Sequence, residues 1–228
     1  MTQDDTTVVD QTLSRADVET LTATGQAFTL KNCGLEDTNL SRLDLSRWHF
    51  ENCKLARASF QGGSLEEATF QGCRAAGANF QFANLAEGAI TGGDFSNSNF
   101  RGATLSDVKI SRCKLTGANL TETQSIRTEF EEVLLILAVL SRFSFRDMTL
   151  KQVDFGEADL RNCDFRDTLF EDCSLRDAHL VDCRFENADL RGADLGGVNL
   201  SDARRFRGAV ISKQQAAVLL GQLGLKVL

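Results

Sequence analysis

Thiols, imidazoles and carboxylates are the side chains of this 228-residue chain that could do chemistry, and their spacing decides which of them do. Seven cysteines, Cys33, Cys53, Cys73, Cys113, Cys163, Cys173 and Cys183, all carry numbers ending in three. Such regularity could serve metal ligation. It also puts every thiol two residues before a member of an apolar series, where a free thiol acts as a small hydrophobe. The second reading is adopted, and neither a metal nor a cofactor is expected. The histidines, His49 and His179, are far apart in sequence, stand at outward positions and have no Cys or Ser nucleophile beside them. No phosphate loop, dinucleotide fingerprint or zinc-ligand spacing occurs. The glycine pairs Gly62-Gly63, Gly92-Gly93 and Gly196-Gly197 suit corners and crowded interior sites. The chain reads as a non-enzyme, which leaves the carboxylates as the groups available for binding.

The element that positions all of them is a ladder. From Leu30 to Leu200 every fifth residue, 35 positions in all, is Leu or Phe at 31 of them. Calling that residue central, the position two before it is mostly small, as at Cys33, Ala58, Gly63 and Ala78, and neither position is ever charged. A period of five matches neither the 3.6 of a helix nor the 2.0 of a long strand. Within one unit, however, the small and the central residue are two apart, so a short extended segment turns both inward. The next two residues are turn formers such as Gly, Asn, Asp and Ser. Units that cannot bury their apolar side alone must stack, giving a solenoid with a continuous core.

Ala78-Asn79-Phe80, Ala118-Asn119-Leu120-Thr121, Ala158-Asp159-Leu160-Arg161-Asn162, Ala188-Asp189-Leu190-Arg191-Gly192 and Ala193-Asp194-Leu195-Gly196-Gly197 resemble the A(D/N)LXX signature of pentapeptide-repeat proteins. The resemblance covers roughly residues 28 to 211. It implies an all-β solenoid, a right-handed quadrilateral β-helix in which four pentapeptides make one turn and residues 20 apart stack. About nine turns then rise ~4.8 Å each, the spacing of paired strands. In that arrangement Cys33, Cys53 and Cys73 share one column and Cys163 and Cys183 another.

Composition agrees with one elongated domain. Proline is absent, as expected where each coil donates backbone N–H groups to its neighbour. The net charge of −7 argues against direct binding of nucleic acid or an anionic membrane. The start, Met1-Thr2-Gln3-Asp4-Asp5, is acidic and leads into no apolar stretch, and Val133 to Leu140 is too short an apolar run to span a bilayer. A cytoplasmic protein is expected.

Three segments are anticipated. Residues 1–27 form a lead-in or cap involving Leu13, Val18 and Leu21, with Phe28 and Trp48 stacking nearby. Residues 28–211 form the β-helix, irregular at about 121–148: Ser125 is central there, Val133, Phe143 and Met148 enlarge the small site, and Leu134, Ile136, Leu137 and Val139 fall where solvent should be. That stretch is read as folding back on the rod in preference to an exposed apolar partner patch. Otherwise the five-residue register holds throughout. Residues 212–228 form a short C-terminal α-helix and tail, N-capped by Ser212, with Ala216, Leu219, Leu220 and Leu223 along one face and Gly224 at its end.

The tail, QQAAVLLGQLGLKVL, resembles the C-terminal segment of the Qnr, MfpA, AlbG and McbG group of pentapeptide-repeat proteins. The resemblance implies homodimerisation through Ala216, Leu219, Leu220, Leu223, Leu225 and Val227. It also implies DNA mimicry: binding of DNA gyrase, and in some members topoisomerase IV, with protection from poisons such as quinolones or albicidin. Glu129 to Asp202 carry 17 acidic and 8 basic residues, a net of −9. Asp154, Asp159, Asp164, Asp189 and Asp194 precede central residues, and Glu157, Asp167, Asp172, Asp177 and Asp182 sit at corners; these ten are the candidate topoisomerase contacts. Against this stands a self-neutralising surface in which Arg161, Arg166, Arg176, Arg184 and Arg191 pair with the acids. The alternative function is a non-catalytic scaffold that binds another protein through Leu134, Ile136, Leu137 and Val139.

Overall fold

In the computed structural model, which describes residues 6–198, 203–222 and 224–227, the chain winds into a parallel β-solenoid of about nine coils. Nine short strands make one parallel sheet in sequence order: β1 (Thr7–Val9), β2 (Thr29–Lys31), β3 (His49–Glu51), β4 (Thr69–Arg74), β5 (Ala89–Asp94), β6 (Lys109–Ser111), β7 (Glu129–Glu131), β8 (Thr149–Lys151) and β9 (Leu169–Glu171). From β2 onward partners lie 20 residues apart, as in Thr29↔His49 and Phe50↔Phe70. Three further ladders keep the same offset, through Gly34↔Lys54, Asn39↔Ser59 and Asp44↔Ser64. Each coil is therefore four-sided, its sides carrying the central residues 30, 35, 40 and 45 and their successors at steps of 20.

Burial explains the ladder. Central residues and those two before them are almost all buried, and the Phe rings stack coil on coil. Phe60, Phe80 and Phe100 are spaced 4.9 and 4.7 Å, and Phe145, Phe165 and Phe185 4.7 and 5.0 Å, with their ring planes nearly parallel. The second residue after each central one is left-handed at corner after corner, with φ near 51 to 69° at non-glycine residues. Asn, Asp and Gly are frequent there because they tolerate that region. Gly93 has φ 102, and a Cβ on it would run into the backbone of Cys73.

Both ends are covered. β1 pairs with β2 at an offset of 22, because helix α1 (Arg15–Thr22) replaces part of the first coil. Ser14 and Asp17 form a capping box on α1, Leu13 and Val18 are buried, and the Arg15 guanidinium donates to the carbonyls of Asn39 and Ser41. Phe28 and Trp48 pack with ring centroids 5.3 Å apart. At the far end the register does not hold as the sequence suggested. Asp189 pairs with Val210, an offset of 21, and Phe206 stacks on Phe185 at 5.0 Å. One extra residue has entered the final coil, and Phe206 keeps the aromatic stack going. Helix α2 (Lys213–Gln222) then covers the last coil.

Residues 121–148 do not fold back on the rod. They form ordinary coils on three sides, through Ile110↔Phe130, Lys114↔Leu134 and Asn119↔Val139, so the packed-back reading is wrong. The irregularity is a seam on the fourth side: no backbone hydrogen bond joins 121–128 to 141–148, whereas Leu105 and Asp107 donate normally to Gln124 and Ile126. Its cause is a size mismatch between coils. The lower coil offers Thr123, Ser125 and Thr128 where the upper one inserts Phe143 and Met148, and the Phe143 ring turns to Phe130 and Phe145 at 5.8 and 4.5 Å.

Amide hydrogen exchange should be faster at Ser125 and Arg127 than at Leu105 and Asp107; equal protection would mean that the seam closes in solution. Gly93→Ala should lower unfolding free energy by more than about 2 kcal/mol through backbone strain and collision. An unchanged denaturation midpoint would remove that account.

Candidate interaction surface

The thiols are interior groups. Cys33, Cys53, Cys73, Cys113 and Cys173 share one column, just past the corner between the first and second sides, where the central carbonyl lacks the turn hydrogen bond made at most other corners. Each thiol donates to such a carbonyl one coil below: Cys53 to Leu30 and Cys73 to Phe50, both at 3.2 Å. On the adjoining side Thr128 and Thr168 also donate to a central carbonyl one coil below, Leu105 and Phe145 at 2.8 Å, although these carbonyls keep their turn bonds. Burial pushes the Cys113 and Cys183 thiols up to about 12 and raises that of Cys163 as well. Among the described residues no three His, Cys, Asp or Glu side chains are placed to hold a metal ion. His49 and His179 lie exposed on the first and third sides, His49 against Thr69 Oγ1 at 2.7 Å.

The ten carboxylates divide by what they already hold. Asp residues before central positions accept from the amide two residues on, a local turn that explains their frequency: Asp154 from Gly156, Asp159 from Arg161, Asp164 from Arg166, Asp189 from Arg191. Asp159, Asp164 and Asp189 are also clamped by the guanidinium of that same Arg, at 2.6, 2.5 and 2.5 Å, which holds their carboxyls below the ordinary range. Asp194 pairs with Arg176 at 2.8 Å, Asp182 with Arg205 at 2.5 Å and Asp167 with Arg146 at 3.7 Å. The self-neutralising arrangement accounts for these six. Such exposed pairs contribute ~0–1 kcal/mol each to stability, so what they change is the outward field.

Asp154, Glu157, Asp172 and Asp177 have no ion-pair partner among the described residues, and Glu132 joins them. These five converge on the second side: Asp154 on its surface, Glu132 and Asp172 along one bounding corner, Glu157 and Asp177 along the other. Sequence reasoning passed over Glu132. Stacking residues 20 apart places it in the same corner column as Gln152 and Asp172, above Arg112.

The four apolar outliers belong to that surface too. Leu134 and Ile136 are on the second side, directly below Asp154 and Gly156, and Leu137 turns the corner below Glu157. Val139 follows on the third side, below Asp159. Leu134 is 37% and Leu137 54% exposed, while Ile136 and Val139 are half-buried.

The proposed dimer residues lie at the α2 end. The Ser212 hydroxyl accepts from the Gln215 amide at 3.1 Å, and Gln215 Oε1 accepts from the Ser212 amide at 2.7 Å. Gln215 Nε2 donates to the carbonyls of Leu190 and Ala193, both at 2.7 Å, which satisfies open acceptors of the last coil. Leu219 is buried at 3% and packs inward, and Ala216 is half-buried. Leu220, Leu225 and Val227, together with Val218, face outward. Leu223 is outside the described residues, as is the last ladder residue, Leu200.

The native protein should leave its seven thiols unmodified by a disulfide reagent over minutes and release them on unfolding. Rapid native labelling would show that the columns open.

Comparison with known proteins places this geometry. The family model described as Pentapeptide repeat region matches residues 43–120 and 124–202, and the break between the two stretches coincides with the start of the seam. No curated protein sequence matches significantly. Among solved structures, two trypsin-treated variants of QnrB1, described as a plasmid-mediated fluoroquinolone resistance protein, superpose with TM-scores of 0.65 and 0.60 at 17% and 20% identity. The first pair covers 97% of both chains, the second 86% of this chain and 97% of the other. Full-length QnrB1 gives a TM-score of 0.55 at 16% identity, covering 96% of this chain and 97% of its own. At such identities the likeness speaks for the fold.

Proposed function

Because the chain belongs to the pentapeptide-repeat family, we propose that it is a non-catalytic binding protein that engages DNA gyrase or a related type II topoisomerase as a DNA mimic and guards it against poisons such as quinolones. The observation that supports this reading most is the convergence of Glu132, Asp154, Glu157, Asp172 and Asp177, none of them in an ion pair among the described residues, on one side of the rod. Coils repeat every ~4.8 Å, so the corner columns form two lines of negative charge along a stiff axis. A duplex also presents two lines of negative charge, and a basic DNA-binding surface attracts either by the same long-range field. The description of QnrB1 as a fluoroquinolone resistance protein supports the choice of partner.

Dimerisation is part of the proposal. Leu220, Leu225, Val227 and Val218 expose apolar surface at the end of the rod, next to its acidic half. A two-fold contact there doubles the rod and sets two acidic sides in line. Leu219 and Gln215 act within one chain, covering the last coil. No described helix is long and apolar enough to cross a membrane, and because the proposed partner is intracellular, a cytoplasmic location is part of the proposal.

A gyrase supercoiling assay with and without a quinolone tests the partner. Inhibition or protection is expected, and a combined Asp154→Lys, Glu157→Lys and Asp177→Lys variant should need roughly ten times the concentration for the same effect. Absence of inhibition, protection and binding in the wild type would falsify this reading. Sedimentation of Leu220→Arg should give monomers; an unchanged dimer moves the interface elsewhere.

A further inference from the structure

Leu134 and Leu137 contribute little to the coil that carries them, and Ile136 and Val139 between and beside them are only half-buried. At the left-handed corners the non-glycine residues are Asn, Asp, Glu, Gln and Arg, with two apolar exceptions, Phe82 and Leu137. A branched apolar side chain at φ 58 is strained, and at 54% exposure Leu137 recovers little of that cost by burial. Leu134 occupies the position that elsewhere carries the turn-forming Asn or Asp: Asn119, one side on, accepts from Thr121, and Asp154, directly above, accepts from Gly156. Leu134 forgoes that bond. One coil therefore departs from the repeat at consecutive outward positions, always towards an apolar residue.

Its borders are charged in a fixed order. One coil below Leu134 is Lys114, one coil above are Asp154 and Glu157, and two coils above is Asp177, none of the four in an ion pair among the described residues. Gly156 keeps the surface low directly above Ile136; beyond it the Arg176 guanidinium lies over Gly196 and is neutralised by Asp194 at 2.8 Å. Along the axis it runs positive, apolar, negative.

We infer that this surface docks a protein segment whose apolar anchors sit on Leu134, Ile136, Leu137 and Val139 and whose adjoining Lys or Arg residues reach Asp154, Glu157 and Asp177. Charge complementarity names the occupant: a purely basic partner has no use for the leucines, and a purely apolar one would leave the carboxylates desolvated beside it. Apolar anchors surrounded by matched charge are the pattern of an interface with a small energetic centre. The inference concerns the chemistry of the partner and does not depend on that partner being a topoisomerase.

Three short fluorescein-labelled peptides test it by anisotropy at physiological salt: leucines followed by lysines, serines followed by lysines, and leucines followed by glutamates. The first should bind and the other two should bind at least about tenfold more weakly. Leu134→Asn with Leu137→Asn restores residue types the repeat favours, so this variant should melt no lower than the wild type while losing the first peptide by about tenfold or more. Glu157→Lys with Asp177→Lys should weaken it comparably, and Glu67→Lys, on another side, should leave it unchanged. The inference is overturned if the asparagine variant binds as well as the wild type, or if the serine-lysine peptide binds as tightly as the leucine-lysine one. It is equally overturned if sedimentation shows wild-type self-association that the asparagine variant abolishes, in which case the occupant is a second copy.

Discussion

Everything in this rod depends on the parallel backbone ladder between coils, set by the offset of 20 residues. Residues two apart in one coil hydrogen-bond to residues one turn away, so each coil satisfies the polar backbone of the one beneath it. The offset forces identical positions into register, and the register lets rings stack at about the strand spacing. Once side chains stack in columns, an outward residue acquires neighbours 20 positions away. The left-handed corners complete the constraint by holding each coil square, which is why their residues come from so narrow a set.

Between its two ends the ladder also tolerates a break, and its location is informative. Between 121–128 and 141–148 the coils cease to bond because a rung of small residues lies under a rung holding Phe143 and Met148. The sides on either hand remain closed, through Asn119↔Val139 and Glu131↔Lys151, so the solenoid continues across the gap. The coil that follows the fault's lower edge carries Leu134 and Leu137. Irregularity inside and irregularity outside thus occupy neighbouring coils.

Acidity looks different after folding. By composition the C-terminal half is a broadly negative surface, and ten carboxylates are equivalent candidates. In space Asp159, Asp164 and Asp189 face an Arg two residues along and project little field, while Asp154, Glu157, Asp172 and Asp177 remain unopposed and gather with Glu132 on one side. The third and fourth sides are closer to neutral. A partner that reads charge has a direction of approach, and composition contains no trace of it.

The sequence by itself determined the coil. Stacking, burial and corner chemistry are local consequences of which residue stands at which of five positions, so Leu30 to Leu195, the interior thiols and the Ser212 cap of the last helix were legible from spacing. Tertiary structure alone decided three matters. The one-residue slip that brings Phe206 onto Phe185 is invisible to counting, because what preserves it is the continuity of a ring stack. The course of 121–148 depends on whether two adjacent rungs match in width, a property of pairs 20 residues apart. Which carboxylates remain free depends on guanidinium reach across and within coils, as with Asp182 and Arg205. A repeat encodes its own shape in every unit, but the surface it offers is set by contacts between units, and those exist only once the coils are stacked.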